Sequence, residues 1–149
     1  MKGIYKIIDP IVKCILRSPV HGLLSDNTTL LEYVGIKSGR QYVLPVSYVK
    51  AGDEIYLFTG RDKVWWRNLG GGSDVTLLIK GERIQGKAWT EAEDLELIAR
   101  RLSAFLKASP RDAKPSNVRL DEYRTPNEDD VLEAAKRLVS ITIVSMVES

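Results

Sequence analysis

The sequence predicts an α+β chain built around a small antiparallel barrel of about six strands, with N-terminal, middle and C-terminal helices. Three observations predict it. Short apolar runs of period two follow one another from Thr28 to Trp89, with turn residues between them. One more alternating run, Val139, Ile141 and Ile143 with Ser140 and Thr142 between, lies near the end of the chain. Apolar residues spaced i, i+3, i+4 and i+7 mark helices before and after the main block of strands. At 149 residues, 44% hydrophobic and 28% charged, the chain reads as one domain, residues 1–149, with a substantial core.

Ile4, Ile7, Ile8, Ile11, Val12, Ile15 and Leu16 form one face of the first helix, in which Asp9-Pro10 is either a kink or a fresh start capped by Asp9. Lys6, Asp9, Lys13 and Arg17 interrupt this segment before it reaches the roughly 20 apolar residues of a spanning helix, and no small-residue cleavage site follows. The expectation is a cytoplasmic protein whose first helix covers the end of the barrel; contact with an anionic membrane surface is the less favoured use of its basic side. Cys14 is the only cysteine, so it makes no internal disulfide and reads as a buried thiol. His21 is the only histidine and follows Pro19 in a turn. With no second ligand at metal-binding spacing it reads as structural.

Thr28 to Val34 is the first strand and Gln41 to Val49 the second, with Tyr42, Leu44, Val46 and Tyr48 on one face. Pro45 cannot donate to a ladder, which places this strand at an edge or gives it a bulge. Ala51-Gly52-Asp53 forms a hairpin into Glu54 to Thr59, and Lys80-Gly81-Glu82 forms another between Val75 to Ile79 and Arg83 to Trp89. Gly86 marks a sharp bend or the close approach of another backbone. Thr90-Glu91-Ala92-Glu93 reads as a capping box opening a helix with Leu95, Ile98, Ala99, Leu102, Phe105 and Leu106 on its buried face. That helix ends before Pro110, and Arg111 to Pro126 reads as a long surface loop of the kind that forms lids or binding edges. Asn127 starts the last helix, with Glu128, Asp129 and Asp130 as favourable charges at its positive end.

A barrel of this size fills its own interior, so a ligand sits outside, at a split between strands or beneath a helix or loop. Two stretches carry chemistry. Gly35-Ile36-Lys37-Ser38-Gly39-Arg40 is a glycine-bounded basic turn whose N–H groups, charges and hydroxyl suit a phosphate or carboxylate; the alternative is a solvated hairpin. Val64-Trp65-Trp66-Arg67-Asn68-Leu69, preceded by Arg61 and Lys63, pairs large aromatic faces with cations, which suits a flat heterocycle with an anionic tail. Equally, its tryptophans could be core. Nothing resembles a Ser-His-Asp arrangement, a Cys-His pair or a zinc cluster, so an enzyme of this sequence leaves the hard chemistry to a cofactor. The net charge of +2 gives no global pull on nucleic acid.

From about Leu30 to Trp89 the sequence resembles the deazaflavin-dependent nitroreductase family, relatives of the flavin-binding split β-barrel proteins. The residues that carry the resemblance are Gly35, Lys37, Ser38 and Gly39, then Pro45, then Trp65, Trp66, Asn68 and Leu69, and the hairpin Val75 to Gly81. It implies a split barrel and an oxidoreductase passing hydride from 8-hydroxy-5-deazaflavin (coenzyme F-420) to a small acceptor such as a quinone, nitroaromatic or enone. In that pattern Lys37, Ser38 and Gly39 cradle the phosphate, and Arg40, Arg61 and Lys63 neutralise the tail. Trp65, Trp66 and Asn68 shape the ring pocket, and Tyr42, Pro45 and Thr59 join them in binding the cofactor. The sequence departs from the family at Ile36 and Tyr42, where the family has arginines, and in the short link Gly60-Arg61-Asp62-Lys63. These departures leave room for FMN or haem. The family's substrate-pocket tyrosines near the C-terminus have no clear counterpart in this sequence; Tyr123 in the long loop is the one candidate. The competing readings are a non-catalytic haem, tetrapyrrole or lipid carrier on the same barrel and, more weakly, a single-strand nucleic-acid binder. The partners expected are the cofactor and a small substrate, and no nucleic acid; a homodimer stays open.

Overall fold

The computed structural model describes residues 28–79 and 81–146. The predicted N-terminal helix, with Cys14 and His21 and the question of membrane contact, lies outside them. In chain order the described elements are β1 (Thr28–Val34), β2 (Gln41–Ser47), β3 (Val49–Ala51), β4 (Glu54–Gly60), a 3-10 turn at Trp65–Asn68, β5 (Ser73–Ile79), β6 (Glu82–Glu91), α1 (Leu95–Ala108), a second 3-10 turn at Pro110–Asp112, α2 (Glu128–Ala135) and β7 (Leu138–Ser145). All strand pairs are antiparallel, in the order β2-β1-β5-β6-β7-β4-β3.

That order decides the shape. β2 and β3 stand at opposite edges of the sheet, yet only Tyr48 separates them in the chain. Residues two apart span at most about 7 Å, so the edges must meet there and the sheet must curl. β3 is three residues long and pairs only with Glu54 to Tyr56, so among the described residues the end of β4 from Leu57 to Gly60 has no strand partner on that side. There β4 faces the end of β2 across a gap, and the barrel is split.

The sequence predicts about six strands, and seven are found among the described residues. The second predicted strand, Gln41 to Val49, breaks at Tyr48, whose ring turns into the core at 6% exposure while the chain crosses to the other edge. Pro45 sits in edge strand β2, paired with Leu30 on its one bonded side. The curled interior is filled by alternating residues such as Leu31, Leu57, Leu77, Val139 and Ile141, all fully buried. Gly86 is explained by close approach: a Cβ there would lie 2.7 Å from Ile143 Cγ2 and 2.8 Å from the Val144 carbonyl oxygen.

Two helices lie among the described residues, packed together beside β4 and β7. Ile98, Leu102 and Leu106 of α1 bury against Val131, Ala134 and Ala135 of α2, and Phe105 meets Phe58 of β4 edge to face at 5.1 Å. The capping box at Thr90–Glu93 is not formed. Pairing with β7 holds Thr90 and Glu91 in β6, and the helix starts later, with the Asp94 carboxylate accepting from the Leu97 N–H at 3.1 Å. Glu91 instead accepts from the N–H groups of Glu93 and Asp94, which hold its carboxyl below the usual range. Asn127 caps α2 as predicted, accepting from the Asp130 N–H at 3.0 Å. Asp130 also receives a two-pronged contact from Arg119 at 2.7 and 3.1 Å, which lowers its pKa. The stretch from Arg111 to Pro126 is not all surface, since Ala113 and Val118 bury beneath the helices.

Candidate functional site

The turn between β1 and β2 closes on itself. The Gly35 N–H donates to the Arg40 carbonyl at 2.8 Å and the Gly39 N–H to the Gly35 carbonyl at 2.9 Å. Gly39 has a φ of +68°, which only glycine adopts without strain, and a Cβ on Gly35 would lie 2.7 Å from Ser38 Oγ. The Arg40 N–H donates to Ser38 Oγ, which lies 3.2 Å from the Tyr42 hydroxyl. These bonds occupy the N–H of Gly39. Among the described residues those of Lys37 and Ser38 have no partner and are available to an anion.

One side chain joins this turn to the tryptophan segment. Asn68 Oδ1 accepts from the Ile36 N–H at 2.9 Å, while Asn68 Nδ2 donates to the Trp65 carbonyl at 3.0 Å. In a 3-10 turn, side chains three apart fall on the same face. Trp65 and Asn68 accordingly turn toward the glycine turn, with Val64 and Arg67 beside them, and Trp66 lies off that face. The result is an open cavity of about 550 Å³ walled by Tyr33, Tyr42 and Trp65 and edged by Lys37, Ser38 and Arg67. Tyr33 stacks on Tyr42 at 5.4 Å and tilts against Trp65 at 6.0 Å. Burial, reinforced by the neighbouring Tyr42, raises the Tyr33 phenol above its ordinary range, so it stays a neutral wall. Both fully charged side chains lining this cavity are cations.

A second cavity, about 360 Å³, occupies the split. Leu44 to Ser47 of β2 and Phe58 to Gly60 of β4 form its sides, Leu102 and Phe105 of α1 cover it, and Asp112, Pro115 and Ser116 close one end. Trp65 lines both cavities.

The residues singled out from sequence are therefore divided. Lys37, Ser38, Tyr42, Trp65 and Asn68 line the turn cavity, and Pro45, Thr59 and Trp65 line the split. Gly39, Arg40, Arg61, Lys63 and Trp66 line neither. Arg61 is not poised over the site as expected: its Nε donates to the Lys136 carbonyl at 3.2 Å and its backbone N–H to the Arg137 carbonyl at 2.7 Å, latching the end of β4 to the start of β7. Trp66 packs against the barrel core with its Nε1–H on the Arg61 carbonyl and the Arg67 guanidinium 5.5 Å from its ring centre. Tyr123 is 81% exposed and lines neither cavity.

Sequence reasoning passed over Arg67, Tyr33 and Asp112. Three-residue spacing in the tryptophan segment would have found Arg67 with Val64. Nothing local points to Asp112. Among the described residues no group of three or more His, Cys, Asp or Glu side chains could hold a metal ion, and no helix is long and apolar enough to cross a membrane.

No protein-family profile matches the chain, and no curated protein does. Solved structures do. A reductase dependent on reduced coenzyme F-420 (FDR-A) superposes with a TM-score of 0.51 at 17% identity over 80% of this chain and 94% of that one. A candidate pyridoxamine 5′-phosphate oxidase from Listeria innocua gives 0.51 at 15% identity, over 95% and 94%. An FAD- and haem-binding protein from Mycobacterium smegmatis gives 0.53 at 12% identity, over 82% and 62%. The likeness is one of fold. It agrees with the curled, split barrel described above.

Proposed function

We propose that the chain is a reductase that binds a planar cofactor with an anionic tail, coenzyme F-420 first and FMN second. The observation that carries the reading is the Asn68 bridge, which sets a cationic turn with two free N–H groups against an aromatic wall beside the split. The fold neighbours add a reductase dependent on reduced coenzyme F-420 and a flavin- and haem-binding protein.

In this reading Lys37 and the N–H groups of Lys37 and Ser38 hold the phosphate, with Arg67 as the second cation in place of Arg61. Arg40 and Lys63, outside the cavity lining, reach only a longer tail. Trp65 and the Tyr33–Tyr42 stack would hold the ring system, with Pro45 and Thr59 of the adjoining split as further walls. Such a cofactor, when bound in its reduced form, would supply the hydride for reduction of a quinone, nitroaromatic or enone, with the matching proton drawn from solvent. Leu44, Val46, Phe58 and Phe105 give the split an apolar wall suited to a flat ring.

The test is titration of the purified chain with oxidised and reduced coenzyme F-420 and with FMN, followed by fluorescence. Micromolar binding of the deazaflavin, with hydride transfer to a quinone, is expected. Absence of binding by all three at micromolar concentration overturns the cofactor reading. The carrier alternative is motivated by Ile36 and Tyr42 in place of the family's arginines and by the apolar face from Ile4 to Leu16, which lies outside the described residues; colour and mass of any co-purified ligand separate it from a reductase.

A further inference from the structure

The two cavities that meet at Trp65 have opposite electrical character. The turn cavity is edged by Lys37 and Arg67, whereas among the described residues the only ionisable side chain lining the split is Asp112. Asp112 ends the 3-10 turn that follows α1, and its side chain is 18% exposed. Its Oδ2 accepts from the Ser109 hydroxyl at 2.5 Å, which fixes the carboxylate. Arg111 Nε lies 3.9 Å from the same oxygen, but Arg111 is 41% exposed and its Nη2 donates to Thr28 Oγ1 at 2.6 Å. This long, partly exposed ion pair reduces the charge of Asp112 without neutralising it. Oδ1 accepts nothing from the described residues. A carboxylate held in a half-open cleft beside Leu44, Val46, Phe58, Trp65, Leu102 and Phe105 is screened less than one on an open surface, so a single charge there discriminates between ligands.

We infer that the Asp112 end of the split is the subsite for the second ligand, and that it selects neutral or cationic, hydrogen-bond-donating acceptors over acceptors carrying a carboxylate or sulfonate. The inference rests on the reductase reading for the word acceptor; the charge selectivity stands on the cleft alone. The same polarity fixes direction, since an anionic tail favours the Lys37 cavity and is repelled from the Asp112 end. Nothing in the chemistry of the transferred hydride is assigned to Asp112. Its role is selection.

The test uses the full chain without cofactor and two naphthoquinones alike except that one carries a quaternary ammonium and the other a sulfonate, measured by equilibrium dialysis. The ammonium probe should bind at least about 10-fold more tightly, because the sulfonate meets a like charge beside the apolar walls of the split. Asp112→Asn, nearly isosteric and still able to accept from Ser109, should bring the ratio to within about 2-fold, and Asp112→Lys should invert it. Should either variant fail to fold by circular dichroism, the wild-type ratio measured between about 20 mM and about 500 mM salt gives the same answer, falling as the charge is screened. A wild-type ratio near one, or a ratio that survives Asp112→Asn, overturns the inference. If the charge ratio holds but no deazaflavin or flavin binds, the reductase reading falls alone. If the cofactor binds and the ratio is one, the selectivity falls alone.

Discussion

Replacing Asn68 by Ala tests the feature on which the candidate site depends. The side chain makes two hydrogen bonds that no neighbour can remake: one from the Ile36 N–H at 2.9 Å, 32 residues away, and one to the Trp65 carbonyl at 3.0 Å. Ile36 is 71% exposed, so water can reach its N–H once the partner is lost, and the cost falls at the low end of the usual range. Two net contributions of about 0.5–1 kcal/mol each give about 1–2 kcal/mol of stability. For a chain near 150 residues that corresponds to a fall in Tm of about 2–8 °C. Cofactor affinity should fall further than loss of one direct contact explains, because the glycine turn and the tryptophan wall would no longer be held at a fixed separation before binding. The assays are thermal unfolding by circular dichroism and a deazaflavin titration on the same preparations. An Asn68→Ala protein with the expected loss of Tm but wild-type affinity would refute the idea that the bridge organises the site, leaving it as a packing contact only.

Lys37→Ala should weaken cofactor binding by about 1.5–3 kcal/mol, or about 10- to 150-fold, while changing stability by no more than about 0.5 kcal/mol; unchanged affinity at low salt would mean the turn is only a solvated hairpin. Trp66→Ala should separate the two tryptophans, since Trp66 packs on the core and lines neither cavity: stability should fall by about 3 kcal/mol with affinity little changed, read by denaturant unfolding and titration. Gly86→Ala should destabilise by at least about 1–3 kcal/mol, because the new methyl meets Ile143 and the Val144 carbonyl, and a Tm equal to wild type would show that β6 and β7 are further apart than described. Two backbone N–H groups lower the pKa of Glu91 in the folded state, so its contribution is full above the ordinary glutamate value of 4.5 and is lost as the pH falls through the lower folded value. The Tm difference between wild type and Glu91→Gln should therefore be constant near neutrality and shrink on acidification below 4.5; a difference that holds constant there contradicts it.

Local physics made much of the architecture legible in the sequence. Short apolar runs marked Thr28 to Val34, Glu54 to Thr59 and Val75 to Ile79, and the spacing of Val139, Ile141 and Ile143 marked the last strand; β1, β5 and β7 prove to be buried on both faces. Gly52 and Gly81 marked hairpins because the chain there adopts φ near +64° and +83°. Asn127 announced α2, since the first N–H groups of a helix need an acceptor that is close in sequence. Lys37, Ser38, Trp65 and Asn68 stood out as two short stretches whose residue types suit one ligand.

The sequence left undetermined whatever depends on partners far apart in the chain. No periodicity in Gln41 to Val49 tells that Tyr48 carries the backbone from one sheet edge to the other, because that crossing is set by which strands pair, and pairing is a long-range choice. The same choice holds Thr90 and Glu91 in β6 and moves the cap to Asp94. It also turns Arg61 to carbonyls some 75 residues away and so leaves it out of the cavity lining. Asp112 enters the split for the same reason: α1 packs across β4 and β7, and the turn that ends it arrives at the gap where β3 stops short. Composition and spacing specify elements and candidate chemistry; closure of the curled sheet decides which side chains share a cavity and which become latches or core.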